Sequence, residues 1–560
     1  MNRPAKTPLD CPPCGVPPRK PYSAGQARLL ETPGVSCRGW IARWGPLLVL
    51  ILLGAALRLW RLGALELIGD ESYYWLWSRY LDWAYFDHPA GVAVTVWLST
   101  LLGGQGTTGI RWLTAMLGVA SIALTYRLGV QMLSRRAGLF AAFLVAAGAP
   151  YLLTSRFVYT DALQLALLLL NMACFWRMVE EKPAPGWPAA LAFGTSLALL
   201  LNTKYNAYLY AATLLVAVLI EHRWLLARWR VWVAALVAVL GLAPAIAWNA
   251  AHGWVSFRWQ LSHASFSLAE SFSVVGNARH ALGYLTWPLV VVALIGLIAL
   301  RSTASLAVTA RPDCLQATAT AKEGGRKVRR AGRPGNPVRR SAERLLTLVA
   351  LVLLLPVALS PANSPRNLST GLVLLLLLAG ARWPSAQQRR WSAWFASGLA
   401  ALALLAAVYG LGTVVETIGP SRWPASSAVA AIRRDACGMR ELGAELASSS
   451  EPIFALDYSS AGQIAYFSGK PAYTSWGQFR IWGVPVSPDW TVVSLDYLPW
   501  EFVDARLRTA FQEVEGPRAL RCEEWGESKE VRIWRARGLG LDSETFLEQF
   551  DFLALLRASR

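Results

Sequence analysis

Charge is scarce in this chain. Asp, Glu, Lys and Arg make up 16% of its 560 residues, hydrophobic residues 54%, and only five positions are histidine. With a mean hydropathy of +0.36, an ordinary soluble domain is excluded. No Gly-rich phosphate loop of the P-loop or dinucleotide-binding type occurs, which argues against a nucleotide cofactor. Acidic residues are few before Gly412: that part has 38 basic and 15 acidic residues, a net of +23, and the rest has 16 and 20, a net of −4. The basic excess sits in an N-terminal tail and in loops between apolar runs. That is the positive-inside pattern of a membrane protein, not a nucleic-acid-binding surface.

What is present is a series of apolar runs from Leu47 to about Gly410, many long enough for a bilayer core of about 30 Å. The pattern predicts a polytopic α-helical membrane protein with about eleven spans: 44–62, 110–130, 137–153, 159–178, 187–201, 207–221, 231–250, 281–300, 345–360, 369–382 and 392–411. Ala90–Leu102 is apolar but short, and is expected to lie at the interface or re-enter. With that parity Arg135-Arg136, His222–Arg230, the 301–344 loop and Arg382–Arg390 all face the cytoplasm. The expected organisation is a disordered basic cytoplasmic tail over 1–43, a transmembrane domain over 44–411, and a small periplasmic α/β domain over 412–560. In the last, 452–457, 471–474, 490–495 and 531–536 read as strands, and 459–467 and 505–514 as helices. Cys437 and Cys522 both fall there, and an oxidising compartment lets them pair or leaves two buried thiols. Cys11-x-x-Cys14 in the tail has no second pair and is weak evidence for a metal.

Two adjacent carboxylates, Asp70-Glu71, stand just past the first span, in a loop rich in Tyr and Trp that continues to Tyr85-Phe86-Asp87-His88-Pro89. Carboxylates at a membrane boundary are costly to place, so a functional role is the default. Other polar residues reach the same face by parity: Arg156, Tyr159 and Asp161, then Asn202, Lys204 and Tyr205, then Trp248-Asn249 to Arg258, then Pro365-Arg366-Asn367. Carboxylates can deprotonate a hydroxyl or amine. Lys204 and Arg258, at outer span ends, can hold a phosphate. A pair such as Glu71 and Asp87 can hold a divalent ion through oxygen. For each residue the bland alternative is an ordinary exposed loop charge.

Gly69-Asp70-Glu71-Ser72-Tyr73-Tyr74-Trp75, followed by Tyr85-Phe86-Asp87-His88-Pro89, resembles the first outer loop of glycosyltransferase family 39, membrane enzymes of the GT-C type. Arg111-Trp112, Thr160-Asp161-Ala162, Thr203-Lys204-Tyr205 and Trp248-Asn249 are similar to later landmarks in order and spacing. The resemblance covers about residues 45–300. It implies a span bundle with juxtamembrane helices in the first outer loop and a periplasmic domain. It also implies sugar transfer from a polyprenyl-phosphate donor, inverting at the anomeric carbon, to a glycolipid such as lipid A, a polysaccharide or a protein. Asp70 matches the catalytic carboxylate and Asp161 the second acidic position. Lys204 sits where a cation could meet the donor phosphate, and Glu71, Tyr74, His88 and Arg258 are the further substrate contacts expected. Pro89 is followed by Ala90 where many members have a second proline, and Leu368 stands where an aromatic is expected. An inner-membrane transferase is therefore the expected function. A lipid-linked sugar flippase, or a scaffold that binds envelope polymer, is the alternative.

Overall fold

A computed structural model describes residues 37–269, 287–295, 337–359, 368–381, 391–418, 427–524 and 527–558. Cys11, Cys14, most of the 301–344 loop and Pro365–Asn367 lie outside them. Contacts divide the chain into two units, Met1–Pro46 and Leu47–Arg560. Residues 412–560 fall in the second of these units.

The bundle is built from α1 (Cys37–Leu59), α4 (Thr107–Met132), α5 (Arg135–Ala147), α6 (Ala149–Arg156), α7 (Thr160–Glu180), α8 (Trp187–Leu201), α9 (Ala207–Glu221), α10 (Trp229–Ala251), α12 (Pro337–Leu359), α13 (Leu368–Ala381) and α14 (Trp391–Ile418). Between them lie α2 (Gly69–Arg79), α3 (Gly91–Gly103) and α11 (Val255–Ala269). Five helices among the described residues are long and apolar enough to cross a membrane, and six if α5 and α6, bent by 55°, count as one. The expected count was eleven. Of the other expected spans, 281–300 and 345–360 lie partly outside the described residues, and α8, α9 and α13 have 15, 15 and 14 residues. At about 1.5 Å per residue each is shorter than a bilayer core.

The α5–α6 break is held by two buried arginines. Arg58 donates to the carbonyls of Val145 and Ala146 at the end of α5 and to Ser155 Oγ. Arg156 in return donates to the carbonyls of Leu57, Arg58 and Trp60 at the end of α1. A guanidinium at a helix C-terminus satisfies carbonyls that have no partner within the helix. Arg156, expected among the polar groups of the site, thus holds α1.

α3 has 13 residues and is not among the helices able to cross. Val92, Ala93 and Val96 are buried, while Val94, Trp97, Leu98, Leu101 and Leu102 are exposed on the other side. At about 1.5 Å per residue the length of α3 is below that of a bilayer core, in keeping with a segment that does not cross.

The C-terminal region contains α15 (Ser427–Ala436), α16 (Met439–Leu446), α17 (Tyr458–Ser468), α18 (Gly477–Trp482) and α19 (Trp500–Ala510). Its sheet comprises β1 (Ile453–Ala455), β2 (Ala472–Tyr473), β3 (Trp490–Leu495), β4 (Phe511–Glu524) and β5 (Glu527–Leu539), in the order β2-β1-β3-β5-β4. β1 pairs parallel with β2 and β3, whereas β5 is antiparallel to β3 and β4. Every residue of β1 and β3 is buried, as expected of strands covered on both faces. Residues 511–514, expected to be helical, begin β4, and β5 is longer than expected. Most of β4 is exposed or half-buried, and Glu and Arg interrupt its apolar alternation, so a period-2 signal is weak there.

Candidate functional site

Glu71 and Asp70 stand side by side in the first turn of α2 and have different surroundings. Glu71 is fully buried. Its Oε1 accepts from Arg111 Nε at 2.7 Å and from the Val158 N–H at 2.9 Å, and its Oε2 from Arg111 Nη2 at 2.6 Å and from the Ile68 N–H at 3.1 Å. Arg111 spends its remaining N–H groups on the carbonyls of Leu62, Leu65 and Glu66 and lies over the Phe157 ring. The substrate or metal contact expected of Glu71 is corrected here. The carboxylate is fully hydrogen-bonded and clamps α2, α4 and the loop before α7.

Asp70 is only partly buried. Its Oδ1 accepts from the Tyr458 hydroxyl at 3.1 Å, across 388 residues of sequence. The N–H of Gly69 donates to Asp435 Oδ2 at 2.7 Å. α17 lies so close to α2 that a Cβ on Gly462 would sit 2.8 Å from the Tyr73 nitrogen. Only glycine fits there, and the close packing fixes Asp70 against Tyr458.

Asp87 faces the same group. Its Oδ2 accepts from the Tyr73 hydroxyl at 2.8 Å and from Trp476 Nε1 at 3.3 Å, while its Oδ1 is buried without a hydrogen-bond partner. Burial pushes the Asp87 carboxyl up to about 7; the two hydrogen bonds oppose this and the charge of Asp70 adds to it. The loop is held in place by Gln478, which accepts from the Phe86 N–H, and by Ser256 and Gln260 of α11, which donate to the carbonyls of Tyr85 and Asp87. Trp248 Nε1 donates to Asp82 Oδ2 at 2.6 Å. Tyr73, Tyr458 and Trp476 form a ring wall, with centroids 4.7 and 4.9 Å apart in sequence along it. His88 packs with Tyr74 and Trp77, at 6.3 and 6.4 Å between ring centroids. Tyr74 itself is buried.

The third group joins two distant segments. Asp161, 2% exposed at the start of α7, pairs with Lys204 Nζ at 3.3 Å. The Lys204 loop is tied to the Asp87 loop, because the Gly91 N–H donates to the Asn202 carbonyl at 2.8 Å. Burial, and less strongly the charge of Asp87, raise the Tyr205 hydroxyl above its usual range.

Arg258 does not join. It is exposed, and it lies two residues from both Ser256 and Gln260, which are four apart and bind the Asp87 loop. That spacing turns Arg258 to the other side of α11. The metal expectation also fails a fit test. Glu71 is committed to Arg111. Among the described residues the one grouping with three metal-ligand atoms in mutual reach is Cys437, Cys522 and Glu524, and there the cysteines are bonded to each other, with Cα atoms 5.9 Å apart. Three contributors were not expected: Tyr458, Trp476 and Asp435 all come from the C-terminal region. Tyr458 and Trp476 are aromatic residues just after predicted strands, and Asp435 has no such signal.

Residues 87–248 match the family described as dolichyl-phosphate-mannose-protein mannosyltransferase. The chain is 26% identical over 253 residues to lipid A galacturonosyltransferase RgtD of Rhizobium johnstonii, covering 41% of this chain and 51% of that protein. It thus spans about half the length of the curated relative it matches. Its fold is similar to that of ArnT from Cupriavidus metallidurans in the apo state, with a TM-score of 0.54 and 15% identity, over 89% of this chain and 98% of that one. The same enzyme bound to undecaprenyl phosphate gives a TM-score of 0.54 at 16% identity, over the same shares. At that identity the likeness establishes the fold alone. The resemblance to glycosyltransferase family 39 is borne out by the match over residues 87–248 and by the relative, and the chain is a multi-pass membrane protein whose fold is like that of ArnT.

Proposed function

We propose that the chain transfers a sugar from a polyprenyl-phosphate donor to a lipid or protein acceptor at the end of the bundle that carries α2. The observation that supports this best is the contrast on α2 between Glu71, buried and fully paired, and Asp70, partly open beside an aromatic wall. In the proposed reaction Asp70 takes the proton from an acceptor hydroxyl or amine. The acceptor atom bonds to the anomeric carbon from the side opposite the phosphate. The carbon–oxygen bond to phosphate breaks, and its electron pair stays on the phosphate oxygen. Lys204 offsets the charge that develops there, with Asp161 holding its ammonium in place. Tyr458 and Trp476 offer ring faces to the sugar. No step requires a metal ion. By this reading α2 and the C-terminal region face the periplasm and the spans lie in the inner membrane.

Galacturonic acid is the first donor sugar to test, because the relative named for lipid A transfers it. Purified protein in nanodiscs would receive polyprenyl-phosphate galacturonic acid, aminoarabinose or mannose, with lipid A or a peptide as acceptor, and products would be weighed by mass spectrometry. The reading expects one sugar added to one acceptor class. Folded protein that transfers none of the three sugars to either acceptor would overturn it.

A further inference from the structure

Asp435 lies near the end of α15, far from the residues that carry the family resemblance. Its side chain is placed at the N-terminus of α2, where Oδ2 accepts from the Gly69 N–H at 2.7 Å. Gly69 is the residue just before Asp70. The backbone of Asp435 is also held: its carbonyl accepts from Lys529 Nζ at 2.8 Å and from Gln463 Nε2 at 3.0 Å, and the same Gln463 amide donates to the Leu67 carbonyl. Two residues on, Cys437 is bonded to Cys522 of β4. The carboxylate is therefore fixed from three directions.

Stability alone does not account for it. Asp435 Oδ1 is buried without a hydrogen-bond partner, and an unsatisfied carboxylate oxygen is destabilising in the interior. Buried, fixed and incompletely satisfied groups cluster where function requires them. We propose that Asp435 is a positioning residue for Asp70: it holds the first turn of α2 and sets a second carboxylate beside that of Asp70. This rests on the reading of Asp70 as the base.

The groups that face Asp435 are Lys529 on β5, Asp70 on α2, Asp457 before α17, and Tyr497 after β3. Burial raises the Asp435 carboxyl to about 6; Lys529 and the Gly69 N–H oppose this, and Asp70 and Asp457 add to it. Near neutral pH Asp435 is thus mostly charged, and its charge acts on that of Asp70.

The test uses the full-length protein in nanodiscs with the donor and acceptor that support transfer. Transfer is measured from pH 5 to 9 for wild type, Asp435→Asn, Asp435→Ala and Asp70→Asn. Asn can still accept from the Gly69 N–H but has no charge. The acidic limb of its pH–rate profile is expected to move down by roughly half a pH unit, with KM for donor and acceptor unchanged. Asp435→Ala also loses the contact, and kcat is expected to fall about tenfold with KM held. Thermal stability in detergent, read beside the pairing of Cys437 with Cys522, shows whether each variant is folded. If Asp435→Ala does not fold, the Asn profile decides alone. An unshifted Asn profile, with Asp70→Asn inactive, overturns the role of Asp435 and leaves the base in place. An active Asp70→Asn overturns the base and this inference with it.

Discussion

Glu71 and Asp70 are neighbours on one helix turn, yet they anchor two regions that work by opposite rules. Around Glu71 every lone pair is used: bidentate Arg111, two backbone N–H groups, and an arginine whose other donors meet carbonyls. Around Asp70 and Asp87 the polar groups are partly open, one Asp87 oxygen lacks a partner, and the walls are aromatic. A region that holds the fold is fully satisfied. By the proposed reading, the region that does chemistry keeps an Asp87 oxygen in reserve.

The sharpest way to break this contrast is at the clamp. Arg111→Ala leaves the Glu71 carboxylate buried and unpaired, which is expected to destabilise the protein by about 3–5 kcal/mol. Folded protein is expected to be nearly lost, read as yield and thermal stability in detergent. A normally folded Arg111→Ala protein would mean that the clamp does not hold the fold.

The disulfide comes next, because it braces the C-terminal side of the open region. Cys437 and Cys522 are 85 residues apart, and closing such a loop stabilises a chain by roughly 4 kcal/mol in the chain-entropy model. Replacing both by Ser should lower the melting temperature and loosen the contacts of Tyr458 and Asp435 with α2. Transfer should therefore fall further than the lost folded fraction explains.

Within the open region, Lys204→Ala is expected to raise KM for the donor about tenfold and leave KM for the acceptor unchanged. A change in acceptor KM alone would remove Lys204 from the donor phosphate.

The smallest effect is one of pH. The Asp87 carboxyl is raised from the usual range to about 7. The folded state then holds a proton that the unfolded chain releases near pH 4, so its contribution to stability is full below about pH 4 and is lost as pH rises toward 7. Thermal stability should be higher at pH 5 than at pH 7.5, and Asp87→Asn should reduce that difference.

Much of the open region was legible in the sequence, because it is announced by local chemistry. Asp70, Asp87, Asp161 and Lys204 are charges at the ends of apolar runs, and the structure brings Asp161 and Lys204 together. The partners were not legible. Arg111 lies 40 residues from Glu71 and Tyr458 lies 388 from Asp70, and no local pattern records a contact so distant. Arg258 misled for a different reason: it follows an apolar helix, but helical phase turns it away from Ser256 and Gln260.

The central claim is that Asp70, and not its neighbour, is the base. Asp70→Asn keeps the shape and removes the charge. In nanodiscs, with a polyprenyl-phosphate sugar donor that the wild type uses, its initial rate of transfer at neutral pH is expected to fall about a hundredfold or more, with thermal stability and the Cys437–Cys522 bridge unchanged. A rate within about threefold of wild type would contradict the account.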